Sequence, residues 1–158
     1  NLVGWGMVND ISILAERLRW LGPMRYNISS LINIFTYKTR GAKIEIDDEK
    51  FEDNYSFIII CNTIHVGKGM KMAPEAILDD GKMDLVIIKS NFTRFKLLQM
   101  FPKLFNGDHI KSDLVEYRKA SFFKLIPKIN EILNIDGEII GETPITLDVL
   151  SNRIKLLN

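Results

Sequence analysis

Beyond Phe105 this 158-residue chain reads almost entirely as β-strand. Apolar or alternating runs at Leu114–Ile126, Ile132–Ile135, Ile145–Val149 and Arg153–Leu157 are separated by turn signals at Pro127, Asp136-Gly137, Gly141 and Ser151-Asn152. Helical periods lie only earlier in the chain. No regular β-α-β alternation results, so a parallel, doubly wound nucleotide-binding sheet is excluded as the organising plan. The expected class is α+β, mainly antiparallel: a β-sandwich-like domain flanked by a few helices, forming one domain over residues 1–158.

The earlier elements follow from pattern. Leu2–Val8 reads as a strand in which Gly4 and Gly6 allow close backbone approach. Asn9 or Asp10 can cap a helix whose face is Ile11, Leu14, Leu18 and Leu21, stopped by Gly22-Pro23. A second helix follows a cap at Asn27, with Ile28, Leu31, Ile32 and Phe35 as its buried stripe, and ends near Thr39-Arg40-Gly41. Ala42–Ile46 alternates as a strand, Asp47–Asn54 is a charged turn or loop, and Phe57-Ile58-Ile59-Ile60-Cys61 is a buried central strand. Asn62–Lys82 is loop-rich, Met83–Ile88 is a strand, and Phe92–Phe105 is a helix bent near Pro102.

Composition narrows the function classes. Lys and Arg number 21 against 20 Asp and Glu, a net charge of +1 that excludes a dedicated nucleic-acid binder. The single cysteine, Cys61, lies in the apolar run and reads as a small core hydrophobe. No apolar stretch approaches the roughly 20 residues that span a bilayer, and no signal peptide is visible, so any membrane contact is peripheral. The chain opens at Asn1 directly into a strand, which reads as a domain cut from a longer protein.

Four segments could carry chemistry. In Arg17-Leu18-Arg19-Trp20-Leu21-Gly22-Pro23-Met24-Arg25, the Gly-Pro turn can fold Arg25 back beside Arg19, giving two guanidinium groups able to clamp phosphate oxygens. Arginines that merely favour a helix C-terminus fit the spacing as well. Asn62 to Ala76 joins glycines to Lys68 and Lys71 without P-loop spacing, and His65 in it reads as a surface-loop or packing histidine. Leu78-Asp79-Asp80-Gly81-Lys82 suits a tight turn, or a turn that holds a divalent cation with backbone carbonyls. Asp136-Gly137-Glu138 is a turn whose Glu138 carboxylate could serve as a base or orient a metal-bound phosphate.

In this order and spacing, these segments together resemble the C-terminal domain of the diacylglycerol kinase catalytic superfamily, in the branch of sphingosine, ceramide and bacterial lipid kinases. The carriers are Gly4-Trp5-Gly6-Met7-Val8-Asn9-Asp10, Arg19 to Tyr26, Gly67 to Pro74, Leu78 to Leu85, Gly107-Asp108-His109 and Asp136-Gly137-Glu138. The resemblance implies a lipid kinase that uses ATP and Mg2+ to phosphorylate a primary hydroxyl of diacylglycerol, ceramide or a sphingoid base. It implies an N-terminal ATP-binding domain with a Gly-Gly-Asp-Gly-Thr motif, absent from this chain, so that the fragment alone is inactive. It further implies nucleotide-phosphate contacts from Arg19 and Arg25, catalytic roles for Glu138 and Asp136, and a lipid pocket at Met7, Val8, Asp10, Ile11 and Ser12. A structural magnesium would be held by Asp80 with the carbonyls of Ile77 and Lys82. Sphingosine kinases carry an aspartate where Ser12 stands, which leaves ceramide and diacylglycerol open. A cytoplasmic enzyme at the membrane periphery is expected, with room for a homodimer. A non-catalytic lipid-binding module and half of an NAD-kinase-like enzyme are the alternatives.

Overall fold

Among the described residues, the Phe57–Cys61 run lies in the longest strand of one nine-stranded, antiparallel sheet. The computed structural model of the protein describes residues 1–67, 69–90 and 93–151. Its elements in chain order are β1 (Leu2–Gly6), α1 (Met7–Arg17), α2 (Arg25–Thr36), β2 (Arg40–Ile46), β3 (Glu49–Cys61), β4 (Met83–Lys89), α3 (Arg94–Met100), β5 (Val115–Ala120), β6 (Phe122–Pro127), β7 (Ile132–Ile135), β8 (Glu138–Glu142) and β9 (Ile145–Asp148). Short 3-10 turns occupy Arg19–Met24, Phe101–Leu104 and Asp108–Lys111. Strand order is β8-β7-β1-β3-β2-β6-β9, while β4 joins β3 to β5. The sheet curls into a half-barrel, so the expected mainly antiparallel α+β class is the class found.

Strand β3 explains the two cores. Ile58 and Ile60 point into one, with Trp5, Tyr55, Leu85 and Phe123. Phe57, Ile59 and Cys61 point into the other, with Met7, Ile34, Val86 and Leu97 on or beneath the helices. Burial on both faces requires a continuous apolar run rather than an alternating one. Cys61 is such a core residue, and burial pushes its thiol up to about 12.

Several local expectations are corrected. The charged stretch 47–54 is not a loop: β2 and β3 form a hairpin across Asp47-Asp48, with Ile46 opposite Glu49. Its charges are carried by paired strands: on one face Lys43 meets Glu52 at 3.5 Å and Lys50 meets Glu45 at 3.8 Å, while Glu49 and Asp53 alternate to the other face and pair with Arg118 and Lys89. The Leu114–Ile126 run is two strands broken at Ser121, because Asp47 Oδ1 accepts the Ser121 and Phe122 N–H groups at 3.0 Å each. Glu138–Glu142 forms a strand instead of only a turn. Helix α1 begins at Met7, capped by Gly6, not Asn9 or Asp10, and ends at Arg17. Its deepest residues are Met7, Asn9, Ser12 and Ala15, a face rotated from Ile11 and Leu14. Helix α2 begins at Arg25 and buries Ser29, Asn33 and Ile34, leaving Leu31, Ile32 and Phe35 exposed. The bend at Pro102 is present as a 3-10 turn after α3. The strand expected at Arg153–Leu157 lies outside the described residues, as does Lys68.

Candidate functional site

Two glycine-dependent junctions set the candidate site. Gly6 turns β1 into α1 at φ 87°, and a Cβ there would stand 2.6 Å from the Ser56 carbonyl oxygen. The junction therefore tolerates no side chain, and α1 starts hard against the sheet. The second junction is the β7–β8 hairpin. Asp136 and Gly137 have φ of 53° and 92°, and Ile135 pairs with Glu138. Positive φ at both central residues is the two-residue turn that matches strand twist.

The acidic turn is tied down on one side and free on the other. Asp136 Oδ1 accepts the Leu2 N–H at 2.8 Å, joining the turn to β1. Buried Asn134 accepts the Gly137 N–H at 3.0 Å and donates to Ser12 Oγ at 2.8 Å. Glu138 is exposed, and among the described residues its carboxylate has no hydrogen bond or ion pair. Asp136 thus orients the turn, and Glu138 is the carboxylate left available.

Of the expected lipid-side residues, Met7 and Ser12 are buried while Val8, Asp10 and Ile11 are half-buried. Asp10 takes two hydrogen bonds from Arg40 Nη2, at 3.0 and 2.9 Å. Arg40 Nε donates to Glu131 at 2.6 Å. Burial works against the Arg40 charge, but the hydrogen bonds and charges of Glu131 and Asp10 outweigh it and raise its pKa. The triad fastens α1 to β2 and to the start of β7, where Asn9 also donates to the Ile132 carbonyl. Two open depressions in the sheet, one along Lys43, Phe51 and Lys124 and one around Asp47 and Arg118, include none of these residues.

Arg19 and Arg25 do converge. Gly22, at φ 56°, reverses the chain, and both guanidinium groups reach Glu16: Arg19 Nε at 2.7 Å and Arg25 Nη1 at 3.4 Å. Arg25 also lies over the Tyr26 ring at 4.9 Å. The Glu16 carboxylate is held between the two guanidinium groups, open to solvent on the Arg19 side, which is 73% exposed. Trp20 at 78% and Met24 at 62%, both in the turn between the arginines, are exposed, as is Phe35 of α2 at 51%.

The expected magnesium set does not fit a metal as it stands. Asp80 is its single side-chain donor. Its Oδ1 accepts the Lys82 N–H at 2.9 Å and its Oδ2 accepts Lys119 Nζ at 3.1 Å. Burial opposes but does not prevent a lowered Asp80 pKa, which Lys119 and Lys82 produce. Among the described residues no group of three His, Cys, Asp or Glu side chains is placed to hold a metal ion, and no helix is long and apolar enough to cross a membrane.

Arg40, Glu131, Asn134, Glu16 and Lys119 escape the sequence reading. Only Glu16 left a local signal, three residues before Arg19 on a helix. The others act across 30 to 122 positions.

Residues 1–158 match the family described as YegS C-terminal NAD kinase beta sandwich-like domain. A diacylglycerol kinase of Bacillus subtilis is 26% identical over 147 residues, covering 91% of this chain and 48% of that protein. Sphingosine kinase 1 of Arabidopsis thaliana is 24% identical over 187 residues, covering 89% and 38%. A crystal structure of a diacylglycerol kinase from Bacillus anthracis superposes with a TM-score of 0.66 at 23% identity, over 96% of this chain and 49% of that one, a likeness of fold. The chain spans about half the length of the curated relatives it matches, or less.

Proposed function

Because the chain belongs to the YegS C-terminal NAD kinase beta sandwich-like family, we propose that the whole protein is an ATP-dependent lipid kinase, of which these residues form the lipid-side wall of the cleft. The convergence of Arg19 and Arg25 on one carboxylate carries the reading. A phosphate oxygen of ATP would replace Glu16 between them. The nucleotide's other contacts would come from a domain outside these residues. Mg2+ accompanying ATP would screen charge on the phosphates.

In the reaction a lipid primary hydroxyl attacks the γ-phosphorus. The new P–O bond forms as the bond to the ADP bridging oxygen breaks, and the hydroxyl proton passes to a carboxylate. Glu138 is the acceptor in this reading, since it alone of the acidic turn is exposed and uncommitted. Asp136 keeps the turn in register with β1.

A lipid with a neutral headgroup, diacylglycerol or ceramide, suits the site better than a sphingoid amine. Ser12 carries no charge and accepts from Asn134, and the nearby Asp10 is neutralised by Arg40. The exposed apolar side chains of Trp20, Met24, Leu31, Ile32 and Phe35, in α2 and the turn before it, support peripheral contact with a lipid surface.

The test is phosphorylation by the intact protein of diacylglycerol, ceramide, sphingosine and NAD, with wild type and Glu138→Gln. The expected result is transfer to a neutral lipid, with kcat lowered roughly 10²- to 10⁴-fold in the variant and nucleotide affinity unchanged. Phosphorylation of NAD but of no lipid would overturn the proposal.

A further inference from the structure

We propose that Lys119 is the resident cation of the Ile77–Lys82 turn: its ammonium bridges loop and sheet, and the turn takes no divalent ion. Lys119 Nζ lies 2.7 Å from the Glu75 carbonyl oxygen, 3.1 Å from Asp80 Oδ2 and 3.7 Å from Asp84 Oδ1. An ammonium has three donors, and three oxygens from two parts of the chain surround this one. Glu75 and Asp80 belong to the loop before β4, and Asp84 belongs to β4 itself. Lys119 stands opposite Asp84 in the β4–β5 register.

Tyr117 completes the joint from the same face of β5, two residues away. Its hydroxyl donates to Asp84 Oδ1 at 2.6 Å and accepts the Glu75 N–H at 3.3 Å. Asp84 is 1% exposed, and its second oxygen has no hydrogen-bond partner among the described residues. One buried carboxylate and one turn carboxylate therefore share a single protein cation. The other end of the loop is fastened separately, by the Met72 carbonyl to His109 Nε2 at 3.0 Å and the Lys71 N–H to the Leu104 carbonyl at 2.8 Å. Lys119 and Tyr117 together hold the Glu75–Asp80 end to the sheet, and Lys119 supplies its charge.

A magnesium ion asks for oxygen ligands in octahedral array and keeps its waters. An ammonium hydrogen-bonded to the Asp80 carboxylate, the one side-chain donor of the expected magnesium set, repels a dication there. Remove the ammonium, and two carboxylates and a carbonyl remain, an oxygen-only set of the kind that magnesium accepts. The exchange of one cation for the other is the signature to look for. It is independent of which acceptor the parent enzyme phosphorylates.

The experiment is thermal unfolding of the full chain without nucleotide, in EDTA and in 10 mM Mg2+, for wild type, Lys119→Met and Lys119→Met/Asp80→Asn. Mn2+-enhanced water proton relaxation serves as a direct count of bound ion. Wild type is expected to shift by less than about 1 °C with Mg2+. Lys119→Met is expected to be destabilised in EDTA, to recover by about 5 °C in Mg2+, and to lose that recovery when Asp80 is also changed. A wild-type Mg2+ stabilisation that disappears in Asp80→Asn overturns the proposal, as does a Lys119→Met variant as stable in EDTA as wild type. A folded Lys119→Met variant that gains no ion also overturns it. If Lys119→Met does not fold, Mn2+ relaxation of wild type against Asp80→Asn decides: a bound ion lost with Asp80 overturns the proposal, and none in either supports it.

Discussion

Helix α1 carries two acid–base clusters that look alike in sequence and differ in kind. Near its start, Asp10 meets Arg40, which also grips Glu131 from a position 91 residues away. Near its end, Glu16 meets Arg19 and Arg25, all within ten positions. The first cluster is only 19% exposed at its arginine and is fixed by three hydrogen bonds at 3.0 Å or less. The second has a 73% exposed arginine and a looser 3.4 Å contact at the other. A half-buried, multidentate ion pair across distant segments serves architecture, because losing one partner leaves the others half-buried and unpaired. An exposed, local one contributes little to stability, and its cations remain available to a ligand. The same residue types thus do different work according to burial and chain separation.

Breaking the buried cluster is the largest test of that contrast. Arg40→Leu leaves Asp10 and Glu131 half-buried without their cation, and stability should fall by about 2–3 kcal/mol, allowing for partial exposure. The denaturation midpoint measures it. A loss below about 0.5 kcal/mol would place Arg40 among ordinary surface arginines and erase the distinction.

That distinction was hidden in the sequence for a physical reason. The apolar run at Phe57–Cys61 and the late strand pattern announce a sheet because burial acts on every residue of a run. Arg40 read as the tail of a helix because nothing local tells a β-strand arginine what it will face 91 positions on. The α2 stripe misled for the opposite reason. Ile32 and Phe35 keep helical spacing, yet they look outward, while Ser29 and Asn33 are buried. Periodicity identifies a face without saying what covers it. Asp47–Asn54 failed similarly, since charges along a hairpin strand resemble a loop until their cross-strand partners are seen. Asp136-Gly137 was legible because positive φ at two successive positions constrains residue type locally.

A smaller, pH-dependent effect sharpens the comparison at a third long-range contact. His109 is wholly buried and bonded to the Met72 carbonyl 37 positions away. Burial lowers its pKa below the ordinary 6.5, against the raising influence of the Met72 and Lys103 carbonyls and of Asp108. The unfolded chain therefore takes up this proton at higher pH than the folded one. Stability should be unaffected well above 6.5 and decline as pH falls below it, levelling off once the folded imidazole titrates. Asp84 works the other way, since burial raises its pKa above 3.8, so the histidine's share is read from the difference between wild type and a His109 variant. His109→Gln should flatten the decline seen in wild type when denaturation midpoints are followed from neutral pH downward. An unchanged slope would mean that the imidazole titrates alike in both states.

The smallest change in stability is expected where the functional effect is expected to be large. Arg19→Ala and Arg25→Ala remove exposed or local partners of Glu16, and each should shift unfolding free energy by less than about 0.5 kcal/mol. In the intact protein each should nonetheless weaken ATP binding about tenfold or more, the scale of one charged hydrogen bond to phosphate. Arg25, only 25% exposed and lying over Tyr26, is the better ordered of the two and should show the larger loss. Glu16→Gln separates the two readings of the cluster. If Glu16 merely occupies the place of a phosphate, removing its charge frees the arginines and ATP binds more tightly, with stability nearly unchanged. If the three side chains form a structural knot like that of Arg40, Glu16→Gln destabilises the chain, and nucleotide affinity falls with it. Isothermal titration with ATP beside a denaturation curve on the same variant distinguishes them, because the two readings predict opposite signs for affinity.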